Sequence, residues 1–103
     1  MFRQARMSDH LEPFETELRA GHELRAGRLV PDESAMRIHR LTTSFLRKVA
    51  VTDGGWSVLY RDPGDGRLWE HTYSESGLHG GGPALLHVIS NQAAHERYAF
   101  SME

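Results

Sequence analysis

"WSVLYRDPGDGRLWEHTYS", residues 56–74, decides the fold. Aromatic and β-branched residues fill both flanks, and a cluster of Pro, Gly and Asp divides them. Such flanks favour strands. "DPGDG" at 62–66 is turn chemistry, because proline presets φ, glycine reaches positive φ and aspartate bonds back to nearby backbone. The stretch predicts a β-hairpin of strands 56–61 and 67–74. Side chains alternate across a strand, so Trp69, His71 and Tyr73 share one face while Glu70 and Thr72 share the other. The aromatic face is expected to meet the core, carrying His71 with it, and both Trp56 and Trp69 are expected to pack on a helix.

That helix is predicted upstream, over residues 32–50. Pro31 precedes it, Asp32 is placed to cap it, and Glu33 sits near the positive end of the helix dipole. Ile38, Leu41, Phe45 and Val49 form one apolar stripe, with Arg37, Arg40, Arg47 and Lys48 on the other side. Asp53, Gly54 and Gly55 stop it. Downstream, "ALLHVI" (84–89) predicts a third strand. Ser90 can cap a short final helix over about 91–99 that turns Ala94 and Tyr98 inward. The expected fold is α+β: a small antiparallel sheet of three to four strands, a long helix before the hairpin and a short C-terminal helix, with both helices on one face. Residues 1–16 show no steady period and are expected to be a flexible tail; 17–103 form a single domain. Between them "ELRAGHELRAG" repeats five residues, Glu17 to Gly21 and Glu23 to Gly27. The echo is too short for a solenoid and reads as chance, or as two strand-like pieces broken at Gly21 and Gly27.

The 103 residues are 39% hydrophobic and 25% charged, the composition of one small globular domain. The chain has no cysteine, which excludes disulfides and thiolate metal sites. The start lacks the apolar core of a signal peptide, no run is long enough to span a membrane, and a cytoplasmic location is expected. Residues 1–50 carry nine Lys/Arg against seven Asp/Glu, whereas 51–103 carry three against seven. The acidic second half argues against a nucleic-acid binder.

"HGGGP" at 79–83 invites three chemical readings. A phosphate cradle needs a Lys and a helix after the glycines, and Lys48 is the only lysine. A lipase-type oxyanion hole needs a G-x-S-x-G serine and a far larger fold. A bend between strands requires neither. Histidines at 71, 79, 87 and 95 fall eight residues apart, but no HxxxH or HExxH spacing appears, and separate histidines are preferred to a zinc or acid/base site. Asp62 and Asp65 lack the remaining ligands of a calcium loop. Nothing assembles a nucleophile, a base and an orienting group, so binding is preferred to catalysis and no cofactor is expected.

The run 55–90 also resembles the immunity protein 27 family of bacterial polymorphic toxin systems. The matching elements are Gly55 with Trp56, Leu59 to Pro63, Asp65 with Gly66, Trp69 with Glu70, Tyr73, the three glycines with Pro83, and Ile89 with Ser90. The preceding Asp32, Arg37, Ile38 and Leu41 look similar too, and the likeness covers roughly residues 28–98. Ser74 stands where a proline is expected, His71 where an apolar residue is expected, and Ala93 where an acid would complete a capping box. The resemblance implies a non-catalytic protein that binds and neutralises a cognate toxin encoded by a neighbouring gene, with no nucleic acid or membrane partner. A monomer or weak dimer is expected. The alternatives are a small histidine-dependent hydrolase or metal-binding protein, and a generic interaction domain. The candidate partner-binding residues are Asp62, Asp65, Glu70, Glu75, His79, Gly80, Gly81 and Gly82. The acids would steer encounter, and the glycine loop is read first as structural and second as interface.

Overall fold

A computed structural model describes residues 10–52, 56–73 and 83–98. Among these, seven strands and two short helices make a mostly β fold. The order is β1 (Glu17–Arg19), β2 (His22–Arg25), β3 (Arg28–Pro31), α1 (Glu33–Arg40), β4 (Arg47–Val51), β5 (Val58–Arg61), β6 (Leu68–Tyr73), β7 (Ala84–Ile89) and α2 (Asn91–Tyr98). A five-stranded antiparallel sheet runs β1-β7-β6-β5-β4, and β2 and β3 form a separate two-stranded ribbon. The expected α+β fold, with three to four strands and a long helix, is therefore corrected.

The long helix fails at a specific place. Asp32 caps α1 as expected, accepting from the Ala35 N–H at 2.9 Å. It also accepts from the Gly21 N–H at 3.1 Å, and a Cβ on Gly21 would meet the Asp32 carboxylate at 2.6 Å, so a side chain there would have to displace the capping carboxylate. The helix then meets Thr42, Thr43 and Ser44. The hydroxyls of Thr42 and Thr43 bond back to the carbonyls of Ile38 and His39, at 2.9 and 2.8 Å. Such back-bonding weakens a helix. Residues Leu41–Phe45 widen into a π-helical turn, closed by the Leu46 N–H on the Leu41 carbonyl, and Leu46 is extended. "RKVAV" follows as β4, where the β-branched valines fit a pleated edge. Val49 kept the helical period only by coincidence.

The hairpin β5–β6 forms as predicted, with Tyr60 opposite Trp69 and Leu59 opposite Glu70. Register then sorts the sheet into two faces. Tyr60, Trp69 and Leu86 join Leu11, Ile38, Leu41 and Leu46 in the core beneath α1. Leu59, Leu68 and Ile89 join Ala94 and Tyr98 in a second core beneath α2. The helices thus cover opposite faces, not one. Ser90 caps α2 through the Ala93 N–H, and Ala94 and Tyr98 turn inward as expected. Trp56 precedes β5 and is 54% exposed, its ring edge-on to Tyr73 at 6.4 Å, so only Trp69 packs under a helix.

The tail expected over 1–16 is anchored from residue 10 onward. Leu11 is part of the first core. The Arg37 guanidinium binds both carboxylate oxygens of Glu15 at 2.7 Å and the His10 carbonyl at 2.8 Å. Arg37 therefore ties the N-terminal segment down, and Glu33 reaches Arg40 at 2.9 Å.

Candidate functional site

The β5–β6 turn is built by its aspartates. The Asp62 carboxylate accepts from the Gly64 N–H at 2.7 Å, and its carbonyl accepts from the Gly66 N–H at 2.8 Å. The Asp65 carboxylate accepts from the Arg67 N–H at 3.0 Å and from Arg67 Nε at 2.7 Å. Those bonds, the backbone one first, hold the Asp65 carboxyl below its ordinary range and therefore charged. Arg67 is the hub of this end. It also donates to the carbonyls of Glu15 and Glu12, at 2.6 and 3.1 Å, and its guanidinium lies 5.0 Å from the Trp69 ring centre.

The result is a cavity of about 330 Å³ between the turn and the N-terminal segment. Leu11, Pro13 and Phe45 supply its apolar surface, and His10, Asp62, Gly64 and Asp65 complete it. Phe14, beside Pro13, is 80% exposed. An apolar floor with a charged carboxylate at the edge suits a basic side chain, whose aliphatic stem lies on the floor while its head reaches the acid.

Glu70 has a different environment. It is fully buried beneath α2 on the opposite face of the sheet from Trp69. His87 Nε2 lies 2.8 Å from it, Arg97 reaches both its oxygens at 2.7 and 2.9 Å, and the Tyr98 hydroxyl donates at 2.8 Å. Burial alone would raise this carboxyl; the bonds from His87, Tyr98 and Arg97 outweigh it and hold the group at about 2. The same contact with Glu70 raises His87. Burial and the neighbouring carboxylate both push the Tyr98 hydroxyl up, so it stays protonated and donates.

The three candidates among the described residues do not form one surface. Asp62 and Glu70 are buried and bonded internally, so they act from inside the fold. Asp65 is at the surface of the turn. Glu75, His79, Gly80, Gly81 and Gly82 lie outside the described residues. Their flanks, Tyr73 and Ala84, pair at the end of β6 and β7 away from the 62–66 turn. The histidine series also separates. His71 lies on the α1 face beside Tyr60 and Tyr73, and burial lowers it; His87 lies on the α2 face. Among the described residues no group of three His, Asp or Glu is arranged to hold a metal. No helix among them is long and apolar enough to cross a membrane.

Sequence reading missed Arg67 and Arg97, and it named His87 and Tyr98 without linking either to Glu70. The signal was partly there: a buried-face Glu opposite a strand histidine needs partners, and the helix after Ser90 carries them. What the described residues offer is an antiparallel sheet with a shaped, charged end at the β5–β6 turn, a feature that suits binding. The family comparison agrees, because the immunity protein 27 profile matches residues 24–90. The chain belongs to that family. Immunity proteins in general act on a protein toxin by binding rather than by catalysis. No curated protein and no solved structure matches the chain.

Proposed function

We propose that this chain binds a cognate protein toxin encoded by a neighbouring gene and neutralises it by direct contact in the cytoplasm. Family membership carries the reading. The cavity at the β5–β6 turn supports it with a receptor for a basic toxin side chain, Asp65 at the edge and Leu11, Pro13 and Phe45 beneath. Asp62 shapes that receptor by holding the turn, and Glu70 holds α2 on the opposite face of the sheet. Glu75 and His79, which follow β6 in the sequence, are kept as candidates for a further contact, and the three glycines are read first as structural and second as interface.

The test is co-expression with the neighbouring toxin, paired with association kinetics at low and high salt. Wild-type protein should protect cells, and its association should slow as salt rises, since exposed charges are screened. Asp65→Lys should slow association several-fold while leaving the fold intact. A folded protein that neither protects nor forms a complex would overturn the reading. Protection insensitive to Asp65 would keep the function and move the interface away from the turn.

A further inference from the structure

The ELRAG echo has two fates. In β1 its first copy is paired along one side: Leu18 lies opposite Leu86, flanked by Glu17 opposite His87 and Arg19 opposite Leu85. In β2 the second copy pairs only with β3, and among the described residues no strand lies on its other edge. Leu24 and its cross-strand partner Leu29 are 70% and 72% exposed. A two-stranded ribbon alone is marginal in water, so such an edge calls for a neighbour.

Backbone geometry says which groups are free. The two turn residues, Ala26 and Gly27, have φ of 52° and 78°, the type I′ arrangement. In such a hairpin the flanking pair, Arg25 and Arg28, exchanges hydrogen bonds, and alternation then turns the N–H and C=O of Leu24 outward from the edge. The β3 edge is blunted by Pro31, which has no N–H to offer. The β2 edge has no proline.

We infer that this β2 edge takes β2 of a second copy of the chain, antiparallel, with the two-fold axis at Leu24. Leu24 then exchanges both backbone hydrogen bonds with Leu24 of the second copy. Glu23 falls opposite Arg25 of the second copy, and Arg25 opposite its Glu23. The register that makes Leu24 its own partner is thus the register in which every charge meets its opposite. It also relieves a repulsion, since Arg25 faces Arg28 across the ribbon and like charges directly opposite are unfavourable. Within one copy Arg25 leans on Glu23 at 2.8 Å and Arg28 has no ion pair among the described residues. Two copies form a four-stranded sheet with leucines 29, 24, 24 and 29 in a row across one face. The contact is smaller than the roughly 1,200 Å² of a stable interface, so the dimer is weak, and it leaves the β5–β6 turn open.

The chain has no cysteine, so Leu24→Cys introduces a single thiol. Residues in a hydrogen-bonded antiparallel pair have Cα atoms about 5.5 Å apart, within disulfide reach. Under mild oxidation Leu24→Cys should crosslink to a dimer at least tenfold faster than Phe14→Cys, an exposed control. Sedimentation of wild-type protein without toxin should show mass rising with concentration up to roughly 1 mM, a weak-affinity range. Leu24→Arg should remain monomeric with an unchanged melting temperature. Glu23→Arg should weaken the dimer, and adding Arg25→Glu should restore it, because the swapped charges are again self-complementary. A wild-type protein monomeric throughout, with Leu24→Cys crosslinking no faster than the control, would overturn the inference. So would a monomer whose Leu24→Arg variant loses toxin binding, since the toxin would then be the occupant of this edge. Self-association is read without toxin, so failure of the toxin-binding proposal would not mimic failure here.

Discussion

Trp69 and Glu70 are neighbours in one strand, both fully buried, and they hold opposite faces of the sheet by opposite means. Trp69 sits under α1 among leucines, isoleucine and tyrosine, and its indole N–H has no acceptor among the described residues. That face holds by apolar area and packing despite the unmet donor. Glu70 sits under α2, and both its oxygens are engaged by His87, Arg97 and Tyr98. That face adds a satisfied polar network to a smaller apolar core. A charged residue inside a strand therefore says little about the surface until the opposite strand and the following helix are known.

The larger loss is expected on the Trp69 face. Trp69→Ala should cost about 3–5 kcal/mol, the range for emptying a large buried aromatic. Small domains have about 5–15 kcal/mol in total, so the variant should melt far below wild type or fail to fold. Calorimetry decides, and Trp69→Phe should recover most of the loss because it removes the unmet donor along with less volume.

Glu70→Ala should cost somewhat less, about 3 kcal/mol, as expected for breaking a buried charged pair. Arg97 is half exposed and can return to water, which limits the damage. The loss should be local, with hydrogen exchange in α2 accelerating more than in α1. Equal acceleration in both helices would contradict the separation of the two cores.

Acidity sharpens the contrast. Glu70 is held low, so its contribution is complete above the ordinary carboxylate range and fades as pH falls toward about 2. His87 is held high by Glu70, so its contribution is complete below the ordinary histidine range and fades as pH rises through the raised value. The network is strongest between these limits, in mildly acidic solution. Melting temperature should therefore peak there, and His87→Gln should flatten the decline on the alkaline side without removing the one at low pH. Glu15, held low chiefly by its bond from Arg37, adds to the acid-side loss on the other face.

The smallest expected effect on stability is at the turn. Asp65→Lys should shift stability by about 0.5–1 kcal/mol, since the pair with Arg67 is partly exposed. Its effect belongs to association with a partner.

The hairpin, the Asp32 and Ser90 caps and the inward Ala94 and Tyr98 were legible because each depends on residues close in sequence. The helix end was not, because the apolar spacing of Ile38, Leu41, Phe45 and Val49 ran on past Thr42, Thr43 and Ser44, whose hydroxyls weaken it. The second core was hidden for a different reason. Only the β6–β7 register puts His87 opposite Glu70, and only the return of α2 brings Arg97 and Tyr98 to it. Asp62 and Asp65 read correctly as turn residues, yet the cavity they edge needs Leu11 and Pro13 from the far N-terminal segment.

The most direct measurement is calorimetric titration of this protein with the toxin encoded beside it, run with co-expression survival. A one-to-one complex with an affinity on the order of 1 nM is expected, together with full protection of the cells. A protein of wild-type melting temperature that gives no binding heat and leaves the toxin lethal would contradict it.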